Sequence, residues 1–371
     1  CGNVGKEGTG VNPLRGQNNV QGACDLGALP NVYSGYQKVS DAKIREKFEK
    51  AWGVKLPSKE GLTVVEIMDM ASKGKIKGLY IMGENPMLSD PNINHVREGL
   101  ENLEFLVVQD IFLTETAMKA DVVLPGVSFA EKNGTFTNTG RRIQRVRKAI
   151  PEVGDSKQDW RIICEVSKRM GYSMNYDSPS EIMDEIASLT PIYGGVHYDR
   201  LDRDGLQWPC LNRSHPGTPY LHKDKFARPD GKGYFTPVDY IPPAELPDEE
   251  YPFLLSTGRV LYHFHTGSLS RRSKPLSRIA PESFLEINPK DAEKLKVKDK
   301  DWVKVSSRRG EIETKVKITD RVDRGVVFMT FHFAESAVNL LTNDALDPVA
   351  KIPEYKVSAV KIEKMVMSKL L

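Results

Sequence analysis

An arginine set among amides is the grouping in this chain that most plainly suggests chemistry. Residues 11–25 read VNPLRGQNNVQGACD, with Arg15 beside Gln17, Asn18 and Asn19 and with Gly16 and Gly22 flanking them. No apolar period of 2 or 3.6 runs through the stretch, so it reads as a loop leading into a short helix. A guanidinium presents a rigid fork of N–H donors and stays charged at any physiological pH, and glycine lets the backbone come close. Such a group suits a small planar anion, a carboxylate for example. The competing reading is an arginine that caps a turn and pairs with Asp25.

Two other stretches carry polar groups in useful places. The short apolar runs GLYIM (78–82), FLVV (105–108) and VVL (122–124) end at Gly83-Glu84-Asn85-Pro86, at Gln109-Asp110 and at Pro125-Gly126. In parallel sheets ligands bind outside the carboxyl ends of the strands. A guanine offers a ring N–H and an exocyclic amine to a carboxylate, and a ribose offers hydroxyls. Acidic and amide strand ends, with Ser89 nearby, therefore suit a guanine nucleotide. In the stretch 257–267, TGRVLYHFHTG, rings and histidines alternate. His263 and His265, at i and i+2, would share one strand face as a metal pair, but no third ligand lies close in sequence. GKEGTG (5–10) lacks GxGxxG spacing and a preceding strand, so it is a weak phosphate cradle.

The stretch around Arg15 resembles the active-site loop of molybdenum- or tungsten-dependent formate dehydrogenases, in the bis-molybdopterin guanine dinucleotide oxidoreductase family. The likeness extends over almost the whole chain. EKNGTFTNTGRRIQ (131–144) is similar to the family pattern E..GT..N..R..Q, and TGR…H.H.G, ESAVNLLT (335–342) and PEYK (353–356) are further family signatures. The resemblance implies that Arg15 sits beside the metal and holds formate, with Gln17 at the cofactor. It implies that Gly83, Glu84, Asn85, Ser89, Gln109 and Asp110 hold one guanosine end and that Asp159 meets the guanine, and the Gly126 backbone, at the third strand end, joins them as a cofactor candidate. The family often has Asp where Asn85 stands.

Around the pterin and phosphates the resemblance places Thr257, Gly258, Arg259, Leu261, His263, His265 and Thr266, with Arg259 at a pyrophosphate. It adds Phe331 through its backbone, and Asn339, Thr342, Tyr355 and Lys356. The implied cofactor is bis-molybdopterin guanine dinucleotide with Mo or W. An iron–sulfur cluster and a Cys or selenocysteine metal ligand are expected upstream, so the chain is expected to be the C-terminal half of a catalytic subunit. Its expected partners are the N-terminal half, electron-transfer iron–sulfur or flavin subunits, and formate or carbon dioxide. The alternatives are another family member such as a nitrate reductase, or a cofactor-free scaffold subunit like those of complex I. Nitrate reductases generally lack an arginine at the Arg15 position, and Gln17, Asp110, Arg259 and Lys356 argue against a scaffold.

The elements that must position these groups follow from pattern. With 371 residues, 39% hydrophobic and 28% charged, the chain has the composition of an ordinary globular protein of two or more domains. A net charge of +3 points to neither nucleic acid nor a membrane surface. No run of 18 apolar residues occurs in the sequence, so no membrane insertion is expected. Cys1, Cys24, Cys164 and Cys210 are scattered without CxxC spacing, which fits buried thiols in a reducing cytoplasm. HExxH, P-loop and Ser/His/Asp patterns do not occur.

Lys38–Trp52 reads as an amphipathic helix with Ile44, Phe48 and Trp52 on one face. Between residues 78 and 126, β-branched runs alternate with helical stretches near 92–103 and 114–119. That pattern predicts a Rossmann-like α/β parallel sheet covered on both faces. Residues 131–144 read as a constrained loop, and Arg141, Arg142, Arg145, Arg147 and Lys148 as a basic run on a solvated face or against the missing half. A helix from Lys157 to Met170 places Trp160, Ile163, Cys164 and Ser167 on one face, and 193–249 is a long connection. Short alternating strands after residue 253, around a helix at Pro289–Leu295, predict a compact β-barrel, of the six-stranded double-psi type in the family. The segments are taken as 1–128 for the active-site loop and α/β domain, 129–221 for linking segments, and 222–371 for the barrel.

Overall fold

The structure, a computed structural model, describes residues 2–365, so Cys1 lies outside the described residues. The chain forms two compact units, one of residues up to Thr63 with Gly126–Asp239, the other of Val64–Pro125 with the residues from Tyr240 on. Both are discontinuous in sequence, where the pattern suggested three consecutive segments. The reason is visible in the packing: Ala337 and Leu340, from the barrel segment, join the apolar core under the 78–125 sheet.

In the first unit, the helix Ala42–Trp52 starts four residues later than expected. Gln37–Lys38 instead pairs with Val32–Tyr33, and the Asp41 carboxylate caps the helix by accepting the Lys43 and Ile44 N–H groups at 2.9 and 3.2 Å. Phe48 is buried and stacks on Tyr33, as its position on the apolar face requires. Residues 131–144 are not a loop. Gly134–Thr137 and Arg142–Val146 form an antiparallel hairpin, with Leu206–Gln207 added to the second strand. Its alternation is masked by charged outward residues, and Ile143, fully buried, is the inward anchor against Met183, Tyr193 and Leu201. The basic run is likewise largely neutralised within the unit, since Arg145 and Arg147 both reach Asp202 and Arg145 lies over the Tyr198 ring. In the helix Asp159–Arg169, Ile162 is buried and Ile163 exposed, while Trp160, Cys164 and Ser167, grouped with Ile163 on one face, are partly buried.

In the second unit, Gly78–Met82, Phe105–Asp110 and Val122–Pro125 form a parallel sheet in that order. Helices Val64–Ser72 and Ile93–Glu101 pack together, with Gly99 so close to the Met68 carbonyl that a Cβ would lie 2.9 Å from it. They cover only one face, burying Ile81, Leu106 and Val108. On the opposite face Tyr80, Met82, Phe105 and Val122 are exposed, so the expectation of two covered faces is not met among the described residues. The barrel is closed and mixed, in the order Phe284–Ile287, Glu311–Ile318, Trp302–Ser306, Ser358–Lys364, Phe253–Gly258, Val326–Thr330. Inward residues at alternate positions, among them Leu255, Leu285, Ile287, Val303, Val305, Val316 and Val327, are fully buried and fill it. The predicted α/β sheet and six-stranded barrel are both present.

Candidate functional site

Arg15 lines a cleft of about 810 Å³ in the first unit, together with Tyr36, Gly140, Arg141, Trp208, Tyr220 and Phe226. The loop ends where Asn19, in the left-handed region, opens the helix Val20–Asp25 and accepts the Thr137 N–H at 2.9 Å. Gly22 is required there, because a Cβ would stand 2.2 Å from the Asn19 amide oxygen. Arg15 does not pair with Asp25. Nη1 reaches the weakly accepting Cys24 sulfur at 3.7 Å, and the buried Nε has no hydrogen-bond partner among the described residues.

Asp25 is engaged elsewhere. Fully buried, it accepts four neutral donors: Gln21 Nε2 at 2.7 Å and Tyr36 OH at 2.8 Å on one oxygen, Tyr193 OH at 2.9 Å and Trp208 Nε1 at 2.6 Å on the other. Burial and this carboxylate hold the Tyr36 and Tyr193 hydroxyls protonated, well above the ordinary tyrosine pKa. The cleft wall is thereby fixed by an anion whose lone pairs are used, while the nearby guanidinium keeps its donors. Gln17 is half-buried in the same loop, Gly126 is buried just past its strand, and Asp159 forms an ion pair with Lys132 at the start of its helix.

In the second unit the strand ends converge with the barrel. Gly83, in the left-handed region, donates its N–H to the Gln109 carbonyl at 2.8 Å. Asn85 is a knot rather than a free amide. Its oxygen accepts from Thr116 N and Oγ1, and its nitrogen donates to Glu115 Oε2 at 2.8 Å and Ser268 Oγ at 3.3 Å. Tyr80 OH donates to the buried Gln109 side chain. Asn339 Nδ2 donates to the Leu88 carbonyl at 2.8 Å and Tyr355 OH to the Ser89 carbonyl at 2.9 Å, while Thr342 Oγ1 backs Asn339. Beside them lies a residue that the sequence reading missed. Asp90 is buried, takes a hydrogen bond from Ser89 Oγ at 3.0 Å, and has a second oxygen with no partner. Burial, reinforced by the Glu84 charge, pushes its carboxyl up to about 7, and burial also raises Glu84. Nothing in the sequence distinguishes Asp90 from an ordinary loop acid.

A cationic pole stands at the next residue along. Lys356 follows Tyr355 directly, donates to the Thr257 carbonyl at 2.6 Å, and lies 5.6 Å from the Phe331 ring centroid. Arg259 approaches the same ring at 5.6 Å, and His265 meets it edge-on at 5.5 Å. The Phe331 ring thus packs against all three of these side chains. Burial and Arg259 together lower the Lys356 pKa and that of His265. Thr257 Oγ1 donates to the Tyr355 carbonyl at 2.7 Å, Thr266 is buried against Ser268, and Gly258 admits the Phe328 ring, which a Cβ would meet at 2.5 Å. Leu261 is 90% exposed and touches none of this.

The two histidine expectations resolve differently. His263 is buried with both ring nitrogens engaged, Nε2 by the Ala280 carbonyl at 2.7 Å and Nδ1 by Ser270 Oγ at 3.2 Å, so no metal pair with His265 forms. His332, unnoticed in the sequence, fastens the 257–266 loop. Its Nδ1–H donates to the His265 carbonyl and its Nε2 accepts the Val260 N–H at 2.9 Å, a pair of contacts that only neutral imidazole can make. Burial lowers its pKa to about 4 from 6.5. Between those values the unfolded chain binds the extra proton, so this contribution to stability is complete above about pH 6.5 and is lost as pH falls toward 4. Unfolding followed by urea across that window should show stability falling with acid, and a shallower slope in His332→Gln. An identical slope in the variant would remove His332 from this role.

Comparison with known proteins bears on both units. The family described as Molybdopterin oxidoreductase matches residues 1–169, and the Molydopterin dinucleotide binding domain matches 253–359. An F420-dependent formate dehydrogenase subunit alpha of Methanocaldococcus jannaschii is 56% identical over 366 residues, covering 98% of this chain and 54% of the relative. Formate dehydrogenase H of Escherichia coli is 44% identical, covering 98% and 51%. The chain thus spans about half the length of the curated relatives it matches. Among solved structures, acetylene hydratase from Pelobacter acetylenicus superposes with a TM-score of 0.63 at 18% identity over 88% of this chain and 50% of that one, a likeness of fold alone.

Proposed function

The chain belongs to the molybdopterin oxidoreductase family, and on that premise we propose that it is the C-terminal half of a formate dehydrogenase catalytic subunit. The observation that carries the reading is Arg15, a guanidinium in a cleft with no carboxylate partner among the described residues, whose neighbouring acid is saturated by four other donors. An arginine kept in that state is a receptor for an external anion.

The residues fit a pterin guanine dinucleotide. The buried Asp90, with its unpartnered oxygen, and Glu84 and Asp110 at the strand ends match the N–H donors of guanine. The cationic pole of Arg259 and Lys356 matches phosphate. Gly83, Glu84, Ser89, Gln109 and Asp110 would hold the guanosine end. Within the second unit, Asn339, Thr342, Tyr355, Lys356, Arg259 and the 257–266 backbone would hold pterin and phosphates; Gln17, Gly126 and Asp159 are kept as cofactor candidates within the first unit. When bound, a molybdenum or tungsten bis-pterin centre supplies the acceptor for the two electrons and hydrogen of the formate C–H bond.

Arg15 orients the carboxylate with two parallel hydrogen bonds and fixes where its C–H bond points. In the reverse direction, negative charge develops on the same two oxygens as carbon dioxide is reduced, and the guanidinium lowers its energy. The metal-binding side chain, an iron–sulfur cluster and the electron-transfer subunits belong, in this reading, to the rest of a cytoplasmic enzyme. No helix among the described residues is long and apolar enough to cross a membrane. Formate oxidation coupled to a viologen dye, set against nitrate reduction by the same full-length enzyme, is the test. Formate turnover without nitrate turnover is expected, and the opposite result would exclude this reading.

A further inference from the structure

The cleft that contains Arg15 has a second guanidinium in its wall, Arg141. Its sequence context marks it only as the first residue of a basic run. Unlike Arg145 and Arg147, it is turned away from Asp202. Nη1 donates to the Trp208 carbonyl and to the Thr218 carbonyl at 3.0 Å, and Nη2 donates to the Pro219 carbonyl at 3.2 Å. Three of five N–H groups are therefore committed to backbone. Nε–H and one Nη2–H are left without a backbone partner, and Nε and Nη2 are the two nitrogens of a guanidinium's side edge. They form the side-on fork that a carboxylate meets with two parallel bonds.

Other features show that this fork is held in place. The Arg141 backbone is in the left-handed region at φ +66°, a conformation unfavourable for a residue with a Cβ. The guanidinium lies 5.5 Å from the Trp208 ring centroid, and Trp208 is itself fixed through its N–H to Asp25. Partial burial lowers the Arg141 pKa, which marks a cation less than fully screened by water, and the acid that faces it, Asp25, already carries four hydrogen bonds. A strained backbone, three carbonyl anchors and a stacked ring together hold donors that no carboxylate among the described residues uses.

We propose that Arg141 is a second carboxylate-holding residue of this cleft, taking a formate-sized monoanion in a bidentate contact on its way to or from Arg15. The inference rests on the reading of Arg15 as the substrate arginine. With two guanidinium groups lining one cleft, an incoming anion exchanges one charged partner for another.

The test uses the full-length enzyme. Phenylglyoxal labelling of wild type, read by peptide mass spectrometry, should show both Arg15 and Arg141 protected by formate. In Arg141→Gln, formate should bind ~10-fold more weakly by line broadening of ¹³C-formate, with the loss in kcat/KM carried mainly by KM. Arg141→Lys should recover part of that affinity. Arg141 labelled equally fast with and without formate would overturn the proposal, and that measurement does not depend on any variant folding. If formate protects Arg15 alone, this inference fails and the assignment of Arg15 stands. If another small carboxylate protects both arginines in an enzyme that does not turn over formate, the second site stands and the formate assignment fails.

Discussion

Lysine in place of Arg15 should leave metal content unchanged and slow formate turnover by ~30- to ~800-fold, or ~2–4 kcal/mol. An ammonium keeps the charge but is a point donor on a flexible stem, so the carboxylate is no longer held in one plane. The buried, unpartnered Arg15 Nε shows how specific the seat is, since lysine places no donor at that position. Steady-state rates at saturating and at low formate, with metal analysis of the same preparation, check the result. Turnover equal to wild type at both concentrations would remove Arg15 from the role assigned to it.

The second large effect is on stability. Asp25→Ala should destabilise the enzyme by ~3–5 kcal/mol, because it leaves the donors of Gln21, Tyr36, Tyr193 and Trp208 buried around a cavity. For a unit of this size that corresponds to a melting temperature lower by ~10 °C. Asp25→Asn keeps the shape but turns an NH2 toward two of those donors, so it should fall between wild type and alanine. Thermal unfolding of the three proteins tests the order. A melting temperature for Asp25→Ala within ~2 °C of wild type would show that the four donors find water at little cost.

Asp25 also shows where reading the sequence runs out. Its four partners come from positions 21, 36, 193 and 208, and no local pattern links them. Proximity along the chain suggested a pair with Arg15, but tertiary packing supplied closer neutral donors. Signals of short range were legible. Gly78–Met82 and its partner strands, the barrel strands and the turn residues between them follow from alternation and glycine placement, since period-2 burial leaves a direct mark on composition.

The 134–146 hairpin was masked because its exposed face carries arginines, which made a strand look like a charged loop. A one-residue choice between Ile162 and Ile163 decides a helix face, and both are equally apolar. The parallel strands look buried on both sides by composition, yet Tyr80, Met82 and Phe105 are exposed here. His332, Asp90 and the Phe331 ring matter through burial and through partners far away in sequence, which a single sequence does not display.

The central claim is that Arg15 faces the substrate. A crystal structure of the full-length, cofactor-loaded enzyme with formate bound measures this directly. The account predicts two Arg15 nitrogens about 2.7–3.2 Å from the two formate oxygens. A formate bound out of hydrogen-bonding reach of Arg15, or an Arg15 turned onto a carboxylate of the protein, would contradict it.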